Sequence, residues 1–457
     1  LAAMFADKQG GVFRWVGEAF GPRTGFLAIF LQWIESTIWY PTVLTFGAVA
    51  IAFIGTDQPH DMSLASNKVF TLAVVLAIYW LATFISLKGL GWVGKISKWG
   101  GMIGTIIPAA LLIILGIVYL ATGGHNNMDM SQSFWPDLTK LDNLVLASGI
   151  FLFYAGMEMM GIHVMEVNNP GKNYPKAIIM GSLMTVAIFV LGTFSLGLII
   201  PAKDINLTQS LLIGFDNYFK YLHASWASPI IAIALMVGVV AGPSKGIYAV
   251  GKAGYLPPFF QKSNNNGVQR NILLVQGGLV TLLSLLFVVM PSVQSFYQIL
   301  SQLTVLLYLI MYMLMFAAAI ALRYKMKGAV RPFRLGRGNA LMWLIAGVGF
   351  AGSLLAFSLS FIPPSQIATG SHTVWYGVLV AGCVIMVAIP LIIYAMRKPS
   401  WRDANAAADF APFHWEQPSK PAQPQNPNSQ SSAAQPSAPT AAPSAAQRKQ
   451  NNNPEKR

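Results

Sequence analysis

Long apolar runs separated by short polar segments extend along the chain as far as Met396. The runs 102–122, 177–200 and 272–290 contain no charged residue. At about 1.5 Å per helical residue, each run can cross a hydrocarbon layer of about 30 Å. The pattern predicts ten membrane-spanning helices, at Thr24–Ile54, Val69–Leu87, Met102–Thr122, Leu144–Val167, Ala177–Pro201, Trp226–Gly242, Ile272–Met290, Phe296–Leu322, Ala340–Ile362 and Val374–Met396.

Composition and charge support a multi-pass membrane protein. Hydrophobic residues make up 54% of the chain and charged residues 10%, against about 25% charged residues in soluble domains. The loops on one side hold Lys68, Lys140, Lys203 and Lys220, whereas the other Lys and Arg residues before position 403 lie on the opposite side. Because translocated loops avoid positive charge, this asymmetry predicts a bacterial inner-membrane protein, surrounded by membrane lipid, with both ends in the cytoplasm. The same bias explains the basic pI, so no nucleic-acid partner is expected.

The two ends of the chain differ in character. The chain begins at Leu1 rather than at a methionine, and we expect the natural N-terminus to be missing. Residues 1–402 are predicted to form a transmembrane domain. Residues 415–457 are rich in Pro, Ala, Gln and Ser, which predicts a disordered cytoplasmic tail that is solvated, binds a partner or covers the mouth of a pathway.

Acidic residues are rare inside the predicted spans. Only Glu35 and Glu158 lie far from both ends of a span, and Glu35 lies about 17 Å from the start of its helix. A carboxylate in hydrocarbon is costly, so such residues often belong to transport sites. Glu35 and Gln32 are therefore a candidate intramembrane polar site, the alternative being a protonated Glu35 that bonds between helices.

Glycines accompany Glu158. Gly149, Gly156 and Gly161 interrupt a helix that is otherwise bulky and apolar, and the segment from Tyr154 to Glu158 falls near the bilayer centre. A helix break there would free backbone amides and carbonyls, which is tolerated only where they line a cavity or meet a ligand. The alternative is that these glycines simply allow close helix packing.

The sequence gives little support for a metal site or an enzyme active site. The single cysteine, Cys383, excludes a disulfide framework and a cysteine metal cluster. His163 and Glu166 lie three residues apart without further ligands, which favours a structural or gating hydrogen bond over a metal pair. The chain contains no HExxH motif, P-loop or nucleophile elbow near a site. We expect no enzyme activity, no catalytic residues, no cofactor and no metal.

Four segments resemble the amino acid, polyamine and organocation transporter superfamily, and within it the glutamate/GABA antiporters. They are EVNNPGKNYPKA at Glu166–Ala177, GPSKG at Gly242–Gly246, GKAGYLPPFFQKSNNNGV at Gly251–Val268 and LQWIESTIWYPT at Leu31–Thr42. The resemblance extends from about Leu1 to Arg402.

The resemblance implies an all-α membrane bundle built as a five-plus-five inverted repeat of twelve helices. The ten spans would be helices three to twelve, so the first helix and most of the second would be absent. It also implies a substrate site at broken helices. The sixth-helix pattern of the family matches Tyr154, Gly156 and Glu158, and the aromatic pair of its tenth helix matches Tyr308 and Tyr312.

By this resemblance the protein would exchange extracellular glutamate for intracellular GABA in acid resistance. Its partners would be small amino acids or amines, with a functional link to a cytoplasmic decarboxylase. Three alternatives remain open: a proton- or sodium-coupled symporter for another amino acid, a non-transporting truncated paralogue, and a membrane scaffold or receptor. For Tyr308 and Tyr312, ordinary helix packing is the alternative to substrate binding.

Overall fold

A computed structural model describes most of the chain. The described residues are 1–8, 10–55, 57–88, 98–131, 136–159, 161, 167–239, 254–334, 336, 338–365, 369–403 and 413–416. The chain divides into two compact units, Leu1–His414 and Trp415–Arg457, and the helices below belong to the first unit. The predicted disorder of residues 415–457 concerns mostly residues outside the described ones and stays a prediction.

The described part of the chain is all-helical. Its α-helices are α1 Gly11–Phe20, α2 Pro22–Ala52, α3 Gln58–Ser66, α4 Lys68–Leu87, α5 Ile107–Ala121, α6 Leu141–Ile150, α7 Pro170–Ile199, α8 Ser210–Tyr221, α9 Ser228–Val239, α10 Arg270–Ser284, α11 Leu286–Val289, α12 Val293–Lys325, α13 Ala340–Leu359 and α14 His372–Ala395. A π-helical segment, Met102–Ile106, precedes α5. Pro108 accounts for this segment, because proline has no N–H to donate to the carbonyl four residues earlier.

Seven helical segments in the described residues are long and apolar enough to cross a membrane. They are Lys68–Leu87, Lys98–Ala121, Pro170–Ile199, Arg270–Val289, Val293–Lys325, Ala340–Leu359 and His372–Ala395. Each corresponds to one of the ten predicted spans. The protein is therefore a multi-pass membrane protein, as its composition predicts.

The other three predicted spans differ from a simple apolar helix. The first, α2, has 31 residues, but polar side chains such as Gln32 and Glu35 make it less apolar than the seven. The span expected at Leu144–Val167 is not one helix, because α6 ends at Ile150 and a 3-10 turn follows. The described part of the span expected at Trp226–Gly242 consists of the end of a 3-10 turn, Ser225–Ala227, and the short helix α9. The total of ten spans and the inverted repeat remain predictions.

Helix α2 lies at the centre of the bundle. Helices α1, α4, α9, α10, α12 and α14 all contact it, and most of its side chains are buried. Helices α1 and α2 approach closely because Gly17 and Gly25 face each other, and a Cβ on Gly25 would lie 2.9 Å from the Gly17 Cα. Lipid is as apolar as these side chains, so close packing of this kind, rather than exclusion of water, holds membrane helices together.

The chain returns to α1 after α14. The Phe413 ring is fully buried against Gly17, and the Arg14 guanidinium lies 4.8 Å from the centre of that ring. The backbone N–H of His414 donates to the Glu18 carboxylate at 3.2 Å. Arg14 also pairs with Glu18 at 3.1 Å. The bundle therefore includes Phe413 and His414 among its packed residues.

Candidate functional site

The chain is interrupted between α6 and α7, where the sequence predicts a helix break. Helix α6 has ten residues, so at about 1.5 Å per residue it extends about 15 Å, half the thickness of a hydrocarbon layer. A 3-10 turn, Phe151–Tyr154, follows it. Gly156 then adopts a φ of +105°, a conformation that residues with a Cβ rarely take. Gly156 thus allows the chain to leave the helix and turn.

Glu158 follows this break and is enclosed by hydrogen-bond donors. Its side chain is only 6% exposed. The Tyr308 hydroxyl donates to its Oε1 atom, and the Tyr312 hydroxyl donates to its Oε2 atom at 2.5 Å. The Gln32 amide nitrogen donates to Oε1 at 3.3 Å. Hydrogen bonds of this kind stabilise a buried carboxylate.

Tyr312 connects the carboxylate to the broken backbone. Its hydroxyl accepts a hydrogen bond from the Gly156 N–H at 3.3 Å while it donates to Glu158. Tyr308 and Tyr312 lie four residues apart on α12, so they share one face, and their rings meet edge to face with centroids 4.9 Å apart. The freed amide of Gly156, the two phenols and the carboxylate form one hydrogen-bonded group.

A polar stripe on α2 faces this group. Gln32, Glu35 and Ser36 follow the three- and four-residue spacing of one helix face. Glu35 is buried, and the Ser36 hydroxyl lies 2.7 Å from its Oε1 atom. Glu35 and Glu158 interact electrostatically. Gln32 is the residue of the stripe that contacts Glu158 directly.

The structure brings together most of the candidate site residues. Gly156, Glu158, Tyr308 and Tyr312 lie in hydrogen-bond contact, and Gln32 joins them, although the sequence placed Gln32 in a separate candidate site. Tyr154 is different. Its side chain is 38% exposed and its ring packs edge to face on Phe189 of α7.

One further residue near the site carried no role in the sequence interpretation. Tyr174 lies in the first turns of α7 and interacts electrostatically with Glu158. It belongs to the segment EVNNPGKNYPKA, so the motif contains it, but nothing in its spacing relates it to Glu158. Only the packing of α7 beside the helix break brings the two residues near each other.

Other features lie apart from Glu158. An apolar cavity of about 180 Å³ is bounded by Val43 and Phe46 of α2, by the π-helical segment Met102–Ile106 and by α8 and α9 side chains, and Glu158 does not line it. Among the described residues, no group of three His, Cys, Asp or Glu side chains could hold a metal ion. His163, Glu166 and the Gly242–Gly246 segment lie outside the described residues.

Comparisons with known proteins agree with the resemblance. The family model described as amino acid permease matches residues 1–389. The chain belongs to the amino acid permease family. Members of this family are transporters that act on small molecules, not enzymes.

Individual relatives of the chain include antiporters of amino acids and amines. An uncharacterized transporter of Legionella pneumophila is 34% identical over 390 residues, which cover 84% of this chain and 83% of the relative. A glutamate/gamma-aminobutyrate antiporter of Lactococcus lactis is 31% identical over 415 residues, which cover 88% of this chain and 82% of the relative. A probable agmatine/putrescine antiporter of the same species is 25% identical over 398 residues, with 84% and 82% coverage. The predicted similarity to glutamate/GABA antiporters is thus confirmed.

Proposed function

We propose that this protein is an amino acid antiporter that exchanges extracellular glutamate for intracellular GABA. The observation that carries the proposal is the buried Glu158 carboxylate beside a helix break, held by Tyr308, Tyr312 and Gln32. The 31% identity with a glutamate/gamma-aminobutyrate antiporter supports the choice of substrates. Glu158, Gly156, Tyr308 and Tyr312 bind the substrate, and Gln32 helps to position Glu158.

The site selects substrates by their charge. A substrate ammonium pairs with the Glu158 carboxylate, and the faces of Tyr308 and Tyr312 favour the same cationic group. The Gln32 contact is the longest of the three hydrogen bonds to Glu158, at 3.3 Å, so an incoming ammonium displaces it at the lowest cost. A substrate with excess negative charge is repelled by Glu158. Backbone groups near Gly156 complete the site.

Exchange of this kind also serves acid resistance. GABA is glutamate without its α-carboxyl group, and the decarboxylation that forms it consumes a proton. Import of glutamate and export of GABA would therefore remove one proton per cycle when a cytoplasmic decarboxylase makes the conversion. In this proposal the protein lies in a bacterial inner membrane, with its C-terminus in the cytoplasm, as the lysine and arginine asymmetry predicts.

Exchange in proteoliposomes tests the proposal. Vesicles with purified protein are loaded with GABA, other amines or buffer alone, and labelled glutamate uptake is followed from pH 4 to 8. We expect uptake only with internal GABA or a related amine, and we expect Glu158→Gln to change the pH dependence of exchange. Asp204→Asn, at an exposed loop position, is the matched control and should behave as wild type.

Two results would contradict this proposal. Uptake that needs a sodium or proton gradient but no internal amine would make the protein a symporter. A Glu158→Gln protein with an unchanged pH profile would remove Glu158 from substrate recognition.

A further inference from the structure

Glu35 is a second buried acid, one helical turn from the site. Its side chain is 4% exposed and lies in the middle of α2. None of the described Lys, Arg or His side chains forms an ion pair with it, and the hydrogen-bond partner of its carboxyl group in the described region is Ser36. An ionised carboxylate buried with one hydrogen bond is strongly disfavoured, so Glu35 needs a proton or a cationic group.

The Ser36 hydroxyl indicates which form Glu35 takes. The Ser36 oxygen lies 2.7 Å from Glu35 Oε1 and 2.9 Å from the Gln32 carbonyl oxygen. A hydroxyl has a single proton, so it can donate to only one of these two acceptors, although its oxygen can accept. Both contacts are satisfied at once if Ser36 donates to the carbonyl and a protonated Glu35 donates to Ser36. The geometry suits a neutral Glu35.

In the described region, the titratable groups that interact with Glu35 are one carboxylate, Glu158 after the helix break, and two phenols, Tyr40 on its own helix and Tyr308 on α12. Phenols are neutral near pH 7, so the charge that Glu35 meets from these groups is the negative charge of Glu158. A metal cation is a poor alternative to a proton here, because hard cations take about six oxygen ligands, and Ser36 is the hydroxyl that contacts this carboxylate in the described region.

Glu35 and Glu158 have unequal hydrogen-bond partners. Glu158 receives three donors, which stabilise its charge. Glu35 receives one. Two neighbouring buried carboxylates cannot easily both be charged, and unequal surroundings assign the proton to one of them. In this pair the partners leave the negative charge on Glu158 and the proton on Glu35.

We propose that Glu35 and Glu158 form a coupled pair that shares one proton, held on Glu35 while the site is empty. This inference rests on the proposed function in one respect, the binding of a substrate ammonium at Glu158. When the ammonium neutralises Glu158, the negative charge that favours protonation of Glu35 is offset, and Glu35 releases its proton. By linkage, proton binding at Glu35 and ammonium binding at Glu158 weaken each other by the same factor. Glu35 thereby makes substrate affinity depend on pH.

Infrared difference spectroscopy of the full chain in detergent or lipid tests the pair without any substrate. A protonated carboxylic acid has a C=O stretching band distinct from that of a carboxylate. We expect a band from a buried acid that disappears as the pH rises, is lost in Glu35→Gln and persists in the control Asp204→Asn. In Glu158→Gln, the band should titrate at a lower pH, because the neighbouring negative charge that favours the protonated form of Glu35 is gone.

A second variant covers the case in which Glu35→Gln does not fold. Ser36→Ala keeps the acid but removes the acceptor of its proton, so the frequency of the band should shift. Three results would overturn the inference. The acid band could persist in Glu35→Gln, keep its frequency in Ser36→Ala, or titrate at the wild-type pH in Glu158→Gln.

Addition of GABA distinguishes a failure of the proton-sharing pair from a failure of the proposed exchange function. If GABA reduces the acid band at constant pH, both proposals are supported. If the variants behave as expected but neither GABA nor glutamate changes the band, the proton-sharing pair stands and the choice of substrates is wrong.

Discussion

Tyr312→Phe removes a single hydroxyl that has two partners in the site. In the wild type this hydroxyl donates to Glu158 Oε2 at 2.5 Å and accepts from the Gly156 N–H at 3.3 Å. Phenylalanine keeps the ring, which packs on Tyr308 and Phe316. The substitution therefore changes hydrogen bonding at the helix break and leaves packing nearly intact.

The expected cost follows from these two contacts. A hydrogen bond to a charged group is worth about 1.5–3 kcal/mol, and an amide left without a partner costs about 1–3 kcal/mol. The Gly156 bond is long and partly buried, so we take the lower end, about 1 kcal/mol, for its loss. Tyr312→Phe should then lower the free energy of unfolding by about 2.5–4 kcal/mol.

A double-mutant cycle isolates the contact with Glu158. Unfolding of Tyr312→Phe, Glu158→Gln and the double variant is followed by tryptophan fluorescence in mixed micelles of increasing denaturing detergent. We expect a coupling energy of about 1.5–3 kcal/mol between the two residues. Tyr376→Phe on α14, where the side chain is 45% exposed, is the control and should change stability by less than about 0.5 kcal/mol. A coupling energy below about 0.5 kcal/mol would refute the reasoning, because independent sites add within that range.

Two further perturbations test the helix break and a buried acid outside the spans. Gly156→Ala should reduce exchange and lower the free energy of unfolding by about 1–3 kcal/mol, because Gly156 has a φ of +105° and not because a methyl group lacks space there. The control Gly377→Ala lies within α14 with open space around it and should be neutral or stabilising. Equal losses of stability in the two variants would contradict this. Burial raises the pKa of Asp61 in α3. A carboxyl group with a raised pKa in the folded state favours folding at low pH, and this contribution is lost as the pH rises through that pKa. Asp61→Asn should therefore be more stable than wild type near pH 7 and equally stable near pH 4. If the substitution leaves stability unchanged at both pH values, the ionised Asp61 carboxylate does not destabilise the fold.

Much of the fold follows from local composition. Hydrocarbon offers no hydrogen bonds to the backbone, so an uncharged run of about 20 residues must be helical, and the seven membrane-length helices lie where such runs predict them. The interruption near Gly156 could also be predicted, because glycines and an acid are out of place in the middle of a span. Helix ends were less predictable: the span expected at Leu144–Val167 stops being α-helical after Ile150, since polar contacts from other helices stabilise the broken backbone.

The partners of Glu158 could not be read from the sequence. Helical spacing indicates that Tyr308 and Tyr312 share a face, as do Gln32 and Glu35, but it does not indicate which neighbouring helix each face meets. Gln32 and Tyr308 are 126 and 150 positions from Glu158 along the chain, whereas Tyr154, only one helical turn away, packs on Phe189 instead. Packing of α2 and α12 against the break selects these partners, because a buried carboxylate is stable only where several donors converge on it.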